Sequence, residues 1–169
     1  MLYSGKRLGT AEEAASRVIG LLPEKGEQYR VCESHRLLGH IYRSTGETEK
    51  AIHHNKVALR IASSFDWHDD LVWVHYNLAG LFLDEGRFDD AQAHIDHVKS
   101  HAVNGAFYLG RAMWLQAMVW HEQHRLEEAM SEALRAVEIL EKLGATEAVE
   151  CREFLSTTHT KAIERPGYF

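Results

Sequence analysis

Proline is nearly absent: the 169 residues hold two, Pro23 and Pro166. Proline breaks helix interiors, so the long stretch between these two carries no such interruption. Cysteine is equally scarce. Cys32 and Cys151 lie far apart and exclude a disulfide framework, which leaves reduced thiols as the reading. No apolar run approaches the roughly 20 residues that cross a bilayer. The opening MLYSGKRLGTAEEAAS has no apolar block of signal-peptide type, so an intracellular, cytoplasmic protein without a membrane partner is expected. Gly/Ser linkers and low-complexity segments are missing, and residues 1–169 read as a single domain. The net charge of −6 argues against nonspecific nucleic-acid binding. The motifs G-x-x-x-x-G-K-[ST], G-x-S-x-G and H-E-x-x-H do not occur, and His121-Glu122-Gln123-His124 has the wrong spacing for the last.

What the chain does have is repetition. GTAEEA (9–14), GETEKA (46–51), GRFDDA (86–91) and HRLEEA (124–129) are near-copies, and their closing alanines are 37, 40 and 38 residues apart. A second column runs through LLGHIY (37–42), NLAGLF (77–82) and LQAMVW (115–120). Each has a small residue third, an aliphatic fifth and an aromatic sixth. Gly39, Ala79 and Ala117 each precede the matching alanine by 12 residues. Two columns locked at one offset, with a period in the range of about 20–50 residues, mark an array of repeated units.

Within each unit one face recurs at a spacing of three or four, as in Val31, His35, Leu38, Gly39 and Tyr42, then Ala51, Val57, Ala58 and Ile61. That is the one-faced pattern of amphipathic helices. Gly46 and Gly86 fall between the two halves, where a helix can end in a left-handed residue, and His124 takes that place in the third unit. Acidic residues follow each stop and complement the helix dipole. Gly39 and Ala51 are expected to face each other across one hairpin, with Tyr42, Phe82 and Trp120 filling the space beside the small columns. Helices are expected near 10–22, 27–45, 48–64, 69–85, 88–101, 106–123, 126–143 and 146–163, an all-α fold with no sheet.

Leu38, Gly39, Tyr42, Gly46 and Ala51, then Leu78, Ala79, Phe82, Gly86 and Ala91, resemble the tetratricopeptide repeat. The third unit conforms at Ala117, Trp120 and Ala129 but has Gln116 in the leucine column. The resemblance covers about residues 9–143. It departs in the early tryptophan column (His35, His75, Met113), in the missing inter-repeat proline and in the longer period. It implies an α-solenoid of antiparallel hairpins: a half repeat at 10–22, repeats at 27–64, 69–101 and 106–143, and a polar capping helix at 146–163. LDEGRFDDAQAHIDHVKSHA and LQAMVWHEQHRLEEAMSEALRAVEILEKLGA look further like the arrays of basidiomycete NTPase–repeat proteins similar to innate-immune receptors. On that reading the chain is the array without its switch domain, and helix 10–22 lacks a partner for Ala14, Val18, Leu21 and Leu22.

Twelve histidines are the compositional anomaly. His94, His97 and His101 share a helix face, which raises a transition-metal site. The solvated outer face of a second helix explains them better, because Ile95 and Val98 take the core positions and structural metal sites need converging ligands. In SFDWHDD, a hydrolytic cluster of Asp66, His68, Asp69 and Asp70 competes with a helix start in which Asp66 caps and Asp69 and Asp70 favour the dipole; the helix start is preferred. Cys32 begins a repeat and is read as packing rather than reacting. No cofactor or metal is expected.

Repeat arrays use the concave surface lined by first helices. The groove positions that the resemblance implies are Glu33, Arg36, His40 and Arg43, then Trp73, Tyr76, Gly80 and Leu83, then Arg111, Trp114, Met118 and His121. Arg36, His40, Arg43, Trp73, Tyr76, Arg111, Trp114 and His121 are the candidate partner-binding residues, since arginine and aromatic side chains anchor interfaces. The competing reading is that Trp73 and Trp114 pack between hairpins, and that the arginines pair with acidic residues of neighbouring repeats. The expected function is a non-catalytic scaffold for a peptide or protein segment with acidic and apolar residues. A structural array that packs on another domain or self-associates through residues 10–22 is the alternative, and a histidine-based enzyme or ligand-binding protein is the third reading.

Overall fold

A computed structural model describes the backbone of residues 2–21, 27–102 and 105–164, and side chains within 9–17, 19, 27–102 and 105–158. The described residues form eight helices: α1 (Leu2–Leu21), α2 (Gln28–Ser44), α3 (Thr48–Ser64), α4 (His68–Asp84), α5 (Phe88–His101), α6 (Ala106–Glu122), α7 (Leu126–Lys142) and α8 (Glu147–Glu164). No strand occurs among them. From α2 onward the helix limits follow the apolar periodicity closely. The exception is α1, which begins at Leu2 rather than near residue 10. No described helix is long and apolar enough to cross a membrane.

The turns repeat one device. Gly46, Gly86, His124 and Gly144 have φ of +79°, +70°, +63° and +65°. The following N–H reaches back over the turn: Glu47 to Tyr42, Arg87 to Phe82, Arg125 to Trp120 and Ala145 to Leu140, at 2.8–2.9 Å. This six-to-one bond satisfies a carbonyl that the ending helix leaves open. Asp66, expected to cap α4, instead takes the left-handed position ending α3 (φ +51°), and Trp67 N–H bonds Ala62 O.

The chain forms two compact units, Met1–Leu81 and Phe82–Phe169, divided within α4. In the first, α1 packs on α2 and α2 on α3; in the second, α5, α6, α7 and α8 pack in chain order. Helices resting on their sequence neighbours are the arrangement of a helical-repeat fold. The alanine column is its core: Ala51, Ala91 and Ala129 are fully buried. The motif at 9–14 departs from it, for Ala14 is exposed and Ala15 is buried. Val18 and Leu21 fall outside the described side chains, and Leu22 outside the described residues. The residue opposite Gly39 is Asn55, one turn beyond Ala51: a Cβ at position 39 would stand 2.3 Å from Asn55 Nδ2. Asn55 is buried and donates that nitrogen to Ala51 O at 2.8 Å. Glycine therefore makes room for an amide. In the second unit Gly110 makes room in the same way for Leu140 and Ile139.

The aromatic column also has a defined partner. Tyr42 stacks on His54 (centroids 5.3 Å, 23°) and Phe82 on His94 (5.4 Å, 9°). In the third repeat that second-helix position is Glu132, which is buried and ion-paired to Lys99 at 2.5 Å. The Lys99 ammonium lies 6.0 Å from the Trp120 ring. On α8, Glu150, Arg152, Glu153 and Thr157 are exposed and Thr158 is fully buried, while Lys161 falls outside the described side chains.

Candidate binding grooves

On α2, residues 30, 33, 34, 37 and 40 recur every three or four positions, so their side chains form one stripe along the helix. Arg30, Glu33, Ser34, Leu37 and His40 on this stripe, with Arg36 beside it and Trp73 from α4, line a solvent-open groove of about 570 Å³. Arg36 organises it. Its guanidinium carbon lies 4.2 Å from the Trp73 ring centroid, and its Nη1 donates to Asp70 Oδ1. Asp70 sits in the first turn of α4 and its side chain is only 8% exposed, so Arg36 supplies the counter-charge that a buried carboxylate requires. Arg36 Nε is buried without a hydrogen-bond partner. Leu37 is 44% exposed and adds apolar surface.

Three residues named from the sequence, Arg36, His40 and Trp73, therefore share this groove. Tyr76 is buried. Arg43 is half-buried with its guanidinium over Gly80, where a Cβ would stand 2.7 Å from both terminal nitrogens. Arg30, Ser34, Leu37 and Asp70 were not among the groove positions expected from the sequence. The three-to-four spacing from residue 30 to residue 40 carried the signal for the first three. For Asp70, the helix-start reading accounts for its place in the sequence but not for its pairing with α2.

In the second unit, Arg111 approaches Glu147 at 3.6 Å, with its guanidinium carbon 5.2 Å from the Phe107 ring. Trp114 packs against buried Ala117, Ala133, Ala136 and Cys151, beside Met113 and Val137. His121 lines a second groove, of about 580 Å³, with Leu83, Phe88, Met118, Glu122 and Phe154. Its ring meets Phe154 edge-on at 5.3 Å, and its Nδ1 is 3.2 Å from Glu122 Oε1. The sequence residues thus fall in two local settings, one in each unit.

The histidine face of α5 resolves into separate contacts. His94 stacks on Phe82, while His97 and His101 stack on each other at 4.1 Å. Among the described residues no group of three or more histidine, cysteine or acidic side chains is placed to hold a metal ion. Both thiols are buried. Cys32 Sγ donates to Ala58 O at 3.6 Å and Cys151 Sγ to Ala133 O at 3.5 Å. Burial pushes each thiol up to about 11, which removes the thiolate on which nucleophilic chemistry depends.

No family model matches the chain, and no curated protein matches it. Among solved structures, the crystal structure of BtubC (BKLC) from P. vanneervenii is similar, with a TM-score of 0.66 and 15% identity. The likeness covers 97% of this chain and 76% of that one, and at this identity it is a likeness of fold: both are all-helical, compatible with a helical-repeat architecture.

Proposed function

We propose that the chain is a non-catalytic binding module of tetratricopeptide type, which holds a peptide or protein segment in the α2–α4 groove of its first unit. The observation that carries this reading is the groove itself. Arg36, His40 and Trp73, expected from repeat register and residue type, line one solvent-open depression. A site of this kind needs flat apolar surface beside fixed polar groups. Trp73 and Leu37 provide the first; Arg36, held by Asp70 and Trp73, and Ser34, whose hydroxyl donates to Arg30 O at 2.8 Å, provide the second, with exposed Arg30 at the rim. Arg36 is held by Asp70 and Trp73, so little side-chain entropy is lost when it meets a ligand. The fitting partner is a segment with an apolar side chain for Trp73 and Leu37 and an acidic one for Arg30 and Arg36. The groove of the second unit, with His121 and Phe154, is the candidate for further contact. The same reading places the protein in the cytoplasm and among the fungal NTPase-linked arrays that its sequence resembles.

The test is selection of ligands for the full chain from a random peptide library, followed by titration calorimetry. Acidic-apolar sequences should dominate, and Trp73→Ala and Arg36→Ala should each weaken binding by tenfold or more. His121→Ala extends the test to the groove of the second unit. Selected peptides that bind both first-unit variants like the wild type would overturn the groove assignment.

A further inference from the structure

The first unit contains a histidine pair that the binding reading does not use. His35 on α2 is 9% exposed, and its Nδ1 lies 2.8 Å from Nδ1 of His54 on α3. At that distance the nitrogens share a hydrogen bond, so one ring donates N–H and the other accepts with its lone pair. The bond continues outward. The His54 ring stacks on Tyr42, and Tyr42 O–H donates to Glu12 Oε1 of α1 at 2.6 Å. One chain of contacts thus joins three helices, α3 to α2 to α1.

Proton counting limits what the pair tolerates. Two neutral rings need a single proton between the facing nitrogens. A first added proton can enter at the donor's Nε2 and leave the bond intact. A second must go to the acceptor's Nδ1, which sets two N–H groups of two cations face to face and abolishes the bond. Burial opposes even the first charge. It is the largest cause lowering both rings, and together with the charges of His54, His53 and Arg60 it lowers His35 to about 4. The surrounding charges act mostly in the same direction. His53 meets His54 edge-on at 5.3 Å, Arg60 opposes charge on His35, and Lys50 opposes charge on His54 while lying 5.0 Å from the Tyr42 ring. Glu12 alone favours charge on His54. The sequence sets both histidines again at the same register, His75 and His94, each 40 residues on (75−35 and 94−54).

We propose that His35 and His54 form a proton-operated latch: their shared Nδ1 contact closes α2 on α3 and, through the Tyr42 stack, holds α1, and acidification opens this three-helix contact. The sign follows from the proton count. The opened rings take up protons near the ordinary histidine value of about 6.5, whereas in the closed pair both rings are lowered, His35 to about 4. The latch is therefore fully effective above about pH 6.5 and is lost as pH falls from there towards 4, by about tenfold per pH unit for each proton taken up on opening.

The test is hydrogen–deuterium exchange of the full chain from about pH 7.5 to about pH 4.5, corrected for intrinsic rates. Amides of α1 and of the α2–α3 contact should lose protection across this window, while those of α6 and α7 hold theirs. His35→Met, with the residue that Met113 places at this register, and His54→Phe, which keeps a ring on Tyr42, should flatten the response. Glu12→Gln should retain it. Unchanged α1 protection in the wild type, or an equal response in both histidine variants, would overturn the latch. So would loss of the response in Glu12→Gln alone, which would make the carboxylate the sensor. If the histidine variants do not fold, nitrogen-15 titration of the wild-type imidazoles decides: coupled titration of His35 and His54 below the ordinary range supports the latch, and independent titration near 6.5 contradicts it.

Discussion

Arg36 and Trp73 form a fixed pair: the guanidinium carbon stands 4.2 Å from the indole centroid while Nη1 is committed to Asp70. A planar, delocalised cation can stack and form a directional ion pair at once, and an ammonium cannot reproduce both. Arg36→Lys should therefore weaken peptide binding measurably. Arg36→Ala should also destabilise the fold by about 1–3 kcal/mol, because Asp70 would be left buried without its partner. Calorimetry and urea unfolding, measured on the same variants, separate the two effects.

Small residues at the hairpin contact set a second expectation. Gly39→Ala would drive a methyl group into the Asn55 amide, which is itself buried and bonded to Ala51 O. Ala91→Phe would place a ring where the existing side chain is fully buried. Each should cost about 1–3 kcal/mol in denaturant unfolding.

The turns respond in opposite directions according to residue type. Gly46→Ala and Gly86→Ala impose a side chain on φ of +79° and +70°, at a cost of about 1–2 kcal/mol each. His124 already bears that strain at φ +63° on an exposed turn, so His124→Gly should be neutral to stabilising, by up to about 1 kcal/mol. Thermal melts of the three variants give the comparison.

Cys32 and Cys151 should resist a thiolate-directed reagent at about pH 8 in the native protein and react fully in denaturant. Burial holds both thiols at about 11, far above that pH. Rapid native labelling of either residue would contradict its place in the core.

The helices, their turns and the alanine core were legible in the sequence because each rests on a local rule. Apolar spacing sets a helical face, and a glycine between two faces marks a left-handed stop. What lay beyond that spacing was the identity of partners across a hairpin. Asn55 opposite Gly39, Asp70 beneath Arg36 and His54 against His35 are each fixed by side-chain reach between helices rather than by period. The 9–14 motif misled for a related reason. It copies the later units in composition, but in α1 it is Ala15, not Ala14, that faces the neighbouring helix. Trp114 carries the same aromatic signal as Trp73, and both are half-buried, yet Trp114 packs against a buried cluster while Trp73 lines the open groove.

The most direct test of binding in the first-unit groove is exchange footprinting of the full chain with a selected acidic-apolar peptide at saturating concentration. New protection in α2 over residues 30–40 and in the first turns of α4, abolished by Trp73→Ala, is the result expected from the groove geometry. Protection confined to α5 around His94, His97 and His101, with the α2 stripe unchanged, would contradict it and make the histidine face the binding surface.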